Sequence, residues 1–283
     1  MTTLTPAIPL GLAIDLSGTA SAHTRTFLHA TRAWAAGTPG ADLTLVSDDR
    51  SADGGERAAA ELLRRGVRGV VGHYSSRAAL AALPLYGTVG VPLLLPAATA
   101  DTLPGPGRAH VGRLCASDAD LHSALGDFTA PWRDAGRLAW HVETSHAAPE
   151  AAPARRGPGT LQVVLGSEAF AREALARPAA PEERWLLVDD AGSPALLALS
   201  TPARPIQAFG NRSRWPVPPP RPEAMFYWET WCALDIAFQL ASRGRHRVAG
   251  QSFNTTCGVL TFGDTGQAET AAHGVWEAPL PVG

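Results

Sequence analysis

The chain has 283 residues, 45% hydrophobic and 18% charged, with a formal net charge of -2, a composition that supports one large globular domain or two smaller lobes. All 24 basic residues are arginine, which excludes Schiff-base, Walker-type and kinase chemistry, each of which needs a lysine ammonium. A near-neutral charge without a basic run gives no footprint for nucleic acid.

The three cysteines, Cys115, Cys232 and Cys257, are odd in number and widely spaced. They suggest reduced thiols rather than a disulfide framework or a close-spaced metal motif. The start, MTTLTPAIPLGLAIDLSG, has no basic n-region, long apolar h-region or lipobox-like cysteine. No apolar run is long enough to insert in a bilayer. The expectation is a cytoplasmic protein; a true start further upstream would make it periplasmic or lipoprotein-anchored.

Residues 8–14 read as a buried strand, and DLSG at 15–18 turns it into a helix over about 22–36. A second strand at 41–49 precedes a helix at 54–66 that ends on a glycine. GVVGHYSS at 69–76 is a third strand, RAALAALPLYGTVG a third helix and VPLLLPAAT a fourth strand. Strict alternation implies a parallel sheet flanked by helices, with ligands at the carboxyl ends of its strands. Those ends, DLSG, SDD, GHYSS and PAAT, are small and polar. A helix opening just after Ser75 and Ser76 aims free backbone N–H groups and a hydroxyl into such a cleft, where they suit a carboxylate.

A helix at 118–132 and a strand at 136–143 follow, then a Pro/Ala/Arg-rich loop at 147–159. LQVVLG, ERWLLVDD and RPIQAFGN are strands of a second lobe. WPVPPPRP at 215–222 is a stiff connector. The longest helix covers 223–244, and GVLTFGDTG at 258–266 is a strand with a turn.

These residues together, IPLGLAIDLSG, SDD, GGERAAAELL, GHYSS, PAAT and the late GVLTFGDTG, resemble the type 1 periplasmic binding fold. The nearest relatives implied are the leucine/isoleucine/valine-binding proteins of branched-chain amino acid ABC importers and the cytosolic amide sensors. The resemblance covers the first lobe almost throughout and the second, shortened lobe in patches. It implies an α/β protein of two lobes, each a parallel sheet flanked by helices. The N-terminal lobe would comprise 1–114 plus about 223–257, and the reduced C-terminal lobe 115–222 plus about 258–283.

In such proteins an amino acid's carboxylate and ammonium are held by a serine after the GH strand and by the PAAT turn. The resemblance places these at Ser76 and at Ala97, Ala98 and Thr99. The Ala97 carbonyl suits an ammonium, and the Thr99 N–H and hydroxyl suit a carboxylate. Ser17, Ser75 and Tyr74 stand around this head group. His23 occupies a position where the family often has an aromatic ring. The second-lobe aromatic would fall near His146 or Ala147, where no tyrosine stands. Asp189 or Asp190 is the expected second-lobe partner of the ammonium.

His141 and His146 lie five apart without a standard metal geometry, and GHYSS lacks the G-x-S-x-G elbow of a hydrolase. Trp228 and Trp231, at i and i+3, read as core. The expectation is a non-catalytic protein that binds an amino-acid-like or amide ligand without metal or cofactor, as a cytosolic sensor or pathway accessory. Alternatives are an importer's binding component, or an enzyme or interaction module on a reduced scaffold. A regulatory protein, an ABC permease or a second copy of the chain are the possible partners.

Overall fold

The computed structural model describes residues 6–17, 21–143, 158–178, 180–219 and 224–277. The first lobe is built on a parallel five-stranded sheet of order β2-β1-β3-β4-β5. Its strands are β1 (Ile8–Ile14), β2 (Ala41–Ser47), β3 (Val70–Gly72), β4 (Leu93–Leu95) and β5 (Val111–Arg113). Helices α1 (Ala22–Gly37), α2 (Ala52–Arg64) and α3 (Ser76–Val89) connect the first four.

The period of two along β1 divides the lobe into two cores. Leu10, Leu12 and Ile14 face a cluster with Phe27 and Trp34 of α1 and Leu234 and Ile236 of α7 (Tyr227–Ser242). Ala13 faces the opposite cluster with Leu62 of α2 and Leu83 and Tyr86 of α3. The glycine pair opening α2 is explained there: a Cβ on Gly55 would stand 2.2 Å from the Ala78 carbonyl oxygen, so only glycine lets α2 lie against α3. β3 is shorter than expected because Gly72, at φ 132, and His73, at φ 53, leave the extended region.

The second lobe carries a five-stranded sheet of order β12-β9-β8-β7-β6, parallel except for β12. Its strands are β6 (Leu138–Val142), β7 (Leu161–Leu165), β8 (Arg184–Val188), β9 (Ile206–Asn211) and β12 (His273–Glu277). Helices α4 (Asp118–Asp134), α5 (Glu168–Leu175) and the short α6 (Pro194–Leu197) accompany them. A capping box of Ser117 with Asp120 opens α4. β5, α5, α6, β12 and the strand at Ser252–Thr255 were not read from sequence; most are too short to carry a periodic signal.

Among the described residues the chain passes between the lobes at three points. The first crossing follows Arg113 and the second joins β9 to α7. The third comes later than about 258: the hairpin of β10 (Ser252–Thr255) and β11 (Gly258–Thr261) packs Phe253, Leu260 and Phe262 into the first-lobe core, together with Ala268. Only β12 then joins the second sheet. Asn211 ties these crossings together. Its Oδ1 accepts from the Ala116 N–H at 3.0 Å, its Nδ2 donates to Glu229 Oε1 at 2.6 Å, and its carbonyl accepts from Trp276 Nε1 at 3.0 Å.

Candidate ligand-binding cleft

The first-lobe strand ends converge with the turn after β8 on a cleft of about 400 Å³. Ser75, Ser76, Ala97 and Thr99 line it from the first lobe, His23 and Tyr74 add ring surfaces, and Asp189 and Asp190 face it from the second lobe. Eight of the ten residues singled out from sequence therefore share one cavity.

Two do not. Ala98 is wholly buried in the α2–α3 core, because alternation through the turn points its side chain under the cleft while its neighbours face it. Ser17 is exposed and outside the lining, with its N–H donated to Asp15 Oδ1 at 2.9 Å. The position near His146 and Ala147 lies outside the described residues.

The head-group elements are held from behind. Ser75 caps α3, its Oγ accepting from the Ala78 N–H at 3.4 Å. Ser76 Oγ accepts from the Ala100 N–H at 3.1 Å, which leaves its own O–H to donate. The nearly buried Arg113 donates from Nη1 to the carbonyls of Thr99 and Ala100, at 3.0 and 2.7 Å, and so fixes the turn. The hydroxyl of Tyr74 points away from the cleft to Thr230 Oγ1 at 2.5 Å, so Tyr74 offers only its ring. Burial raises that phenol far above its ordinary pKa.

The GH pair is a support rather than a contact. His73 is fully buried, with Nδ1 3.0 Å from Asp48 Oδ2 and Nε2 3.0 Å from the Tyr86 hydroxyl. Asp48 Oδ1 in turn accepts from the Arg50 N–H at 3.1 Å. This chain sets the β2–α2 loop, from which Arg50 reaches across the cleft to Asp190 Oδ2 at 3.1 Å. On the outer edge Arg25 approaches Glu168 at 3.7 Å.

His23 is 4% exposed, edge-on to Phe226 at 5.0 Å, and its Nε2 lies 3.4 Å from Asp190 Oδ1 without completing a hydrogen bond. Burial lowers its pKa, with Asp190 and the Asp189 backbone pulling the other way. Desolvation and the charge of Asp190 push Asp189 up to about 7. Asp189 also has φ 55, unusual for a non-glycine residue and set by the tight turn it opens.

Asp15 and Asp48 line the cleft from the strand ends DLSG and SDD without having been named as site residues, and sequence reasoning missed Ile14, Ser21, Thr24, Arg50, Arg77 and Phe226 in the lining. Arg50 was legible in principle, as the residue directly after a strand-end SDD. Phe226, at φ 67 before α7, came from a distant segment with no local signal. His141 is structural: it stacks on Trp185 at 5.7 Å and meets Gln162 at 2.9 Å. Trp228 is core, as expected.

Two lobes, parallel sheets and three crossings around an interlobe cleft define the type 1 periplasmic binding fold, and solved structures agree. The chain is similar to a leucine-binding protein, LivK, from Thermotoga maritima, with a TM-score of 0.72, 16% identity and 95% of each chain covered. It is similar to a solute-binding protein of an ABC transporter from R. palustris, in complex with benzoate, with a TM-score of 0.72, 14% identity, and 98% and 95% covered. The LivJ binding protein of Streptococcus pneumoniae, in complex with isoleucine, matches with a TM-score of 0.67, 14% identity and 93% of each chain covered. No family model matches the chain, and no curated protein matches it. Among the described residues no helix is long and apolar enough to cross a membrane.

Proposed function

We propose that the protein is a non-catalytic binding protein that closes its lobes on a small carboxylate, an amino acid or its amide being the best fit. One observation carries this reading: hydroxyls and backbone at the first-lobe strand ends face second-lobe carboxylates across one cleft of about 400 Å³. Ser76 and Thr99 donate to the carboxylate, the Ala97 carbonyl accepts from the ammonium, and Asp189 and Asp190 neutralise it. Isoleucine and benzoate, named with two of the similar structures, share a carboxylate. A ligand that touches both lobes only when they are closed shifts the population towards closure, and no bond need be made or broken.

Such closure would serve a cytosolic sensor or accessory protein, or alternatively an importer's receptor. Fractionation of the producing cells separates the two. The binding reading itself is tested by a thermal-shift screen against amino acids, amides and small acids. A ligand for the native state raises Tm, and Thr99→Ala removes the shift. A flat screen with folded protein counts against it.

A further inference from the structure

One wall of the cleft gathers His23 of α1 with Asp189 and Asp190 of the turn after β8, and one ligating atom of each lies within 4.8 Å of the others. Two adjacent carboxylates would not by themselves make a site. The independent observation is His23: its side chain is 95% buried, it lines the cavity, and its Nε2 completes no hydrogen bond, with Asp190 Oδ1 facing it at 3.4 Å. A buried nitrogen that completes no hydrogen bond carries a desolvation cost that a group bound between it and the facing carboxylates would relieve.

The distances suit an ion. Bonds of about 2.1 Å from nitrogen and oxygen put two ligand atoms roughly 3.4 Å apart on a tetrahedral metal. His23 Nε2 and Asp190 Oδ1 are 3.4 Å apart. Asp189, within 4.8 Å of the other two, would have to close by up to about 1.4 Å to the same spacing, an adjustment its side-chain torsions can supply. Arg50, 3.1 Å from Oδ2 of Asp190, anchors that carboxylate from outside and leaves Oδ1 towards His23, the role that outer-sphere partners play at metal sites.

We propose that His23, Asp189 and Asp190 bind one divalent transition-metal ion of the zinc class between the lobes, with its remaining positions open to the cleft. An imidazole beside carboxylates favours zinc, cobalt or nickel over magnesium and calcium, which prefer oxygen ligands throughout. The inference shares its carboxylates with the binding reading, so the metal and the ligand's ammonium compete for Asp189 and Asp190.

The test uses the full chain, stripped with EDTA and exchanged into chelator-free buffer, titrated with zinc chloride by calorimetry and with cobalt chloride by visible absorption. One ion per chain is expected, weakened more than about tenfold by His23→Gln and by Asp190→Asn and unchanged by His246→Gln on the exposed surface. Circular dichroism shows whether each variant folds, and Asp189→Asn stands in if His23→Gln does not. No saturable binding by folded protein, or binding indifferent to all three cleft substitutions, overturns the proposal. The organic screen repeated in EDTA separates the two readings. Organic binding without zinc binding removes the metal site alone, whereas zinc binding without an organic ligand removes the amino-acid reading alone.

Discussion

Arg50 of the first lobe and Asp190 of the second meet across the cleft, Nη2 to Oδ2 at 3.1 Å, and His23 approaches the other oxygen of the same carboxylate at 3.4 Å. Asp190 is thus the point where two first-lobe side chains grip the second lobe. Its position at the end of β8, and that of Arg50 at the end of β2, follow from the rule that parallel strands deliver functional side chains at their carboxyl ends.

Arg50→Ala should leave the fold almost untouched, because the Arg50 side chain is 47% exposed and such pairs contribute at most about 1 kcal/mol. Its effect should fall on closure. The radius of gyration of the ligand-free protein, measured by small-angle X-ray scattering, should rise; an unchanged value would show that this pair does not hold the lobes together.

Ser76→Ala and Thr99→Ala should act on affinity. A hydrogen bond to a charged group contributes roughly 1.5–3 kcal/mol, so each loss should raise Kd by about 10- to 150-fold. Calorimetry with whichever ligand the screen identifies measures this. Equal affinity in both variants would place the carboxylate elsewhere in the cleft.

His73→Ala should cost about 3 kcal/mol, since it leaves the buried Asp48 carboxylate and Tyr86 hydroxyl without their shared partner. Urea denaturation reads the loss. Because Asp48 also holds the Arg50 N–H, ligand affinity should fall with stability. A variant as stable as the parent would contradict the supporting role assigned to this histidine.

Glu229 gives the fold a pH dependence. Burial pushes its carboxyl up from 4.5 to about 7, although Ser213 Oγ and Asn211 Nδ2 both donate to it at 2.6 Å. The folded chain therefore holds this proton more tightly than the unfolded one. Its contribution to stability is full below about pH 4.5, declines as pH rises towards 7, and is lost above. The loss is on the order of 3 kcal/mol. Glu229→Gln keeps an acceptor for both donors and cannot ionise, so its stability should be flatter than the parent's from pH 5 to 8. Parallel pH profiles for the two proteins would assign the dependence to other groups.

Where a helix or strand is long and regularly patterned, its sequence determined it: β1 with its alternating Leu10, Leu12 and Ile14, α2 with its opening glycines, and α7 with its apolar length all lie within a few residues of their expected places. Small polar residues at four successive strand ends likewise marked the first-lobe half of the cleft. Tertiary structure decided the remainder. Ala98 and Thr99 are neighbours with similar prospects in sequence, yet the turn sends one into the core and the other into the cleft. Phe226 and Asp190 reach the same cavity from segments about 90 to 210 residues beyond the first-lobe strand ends, a separation over which no local pattern carries information. The partnership of Arg50 with Asp190 exists only because three chain crossings bring the two sheets face to face. Side-chain chemistry is written locally, whereas the pairing of charges across a cleft depends on how the lobes are docked.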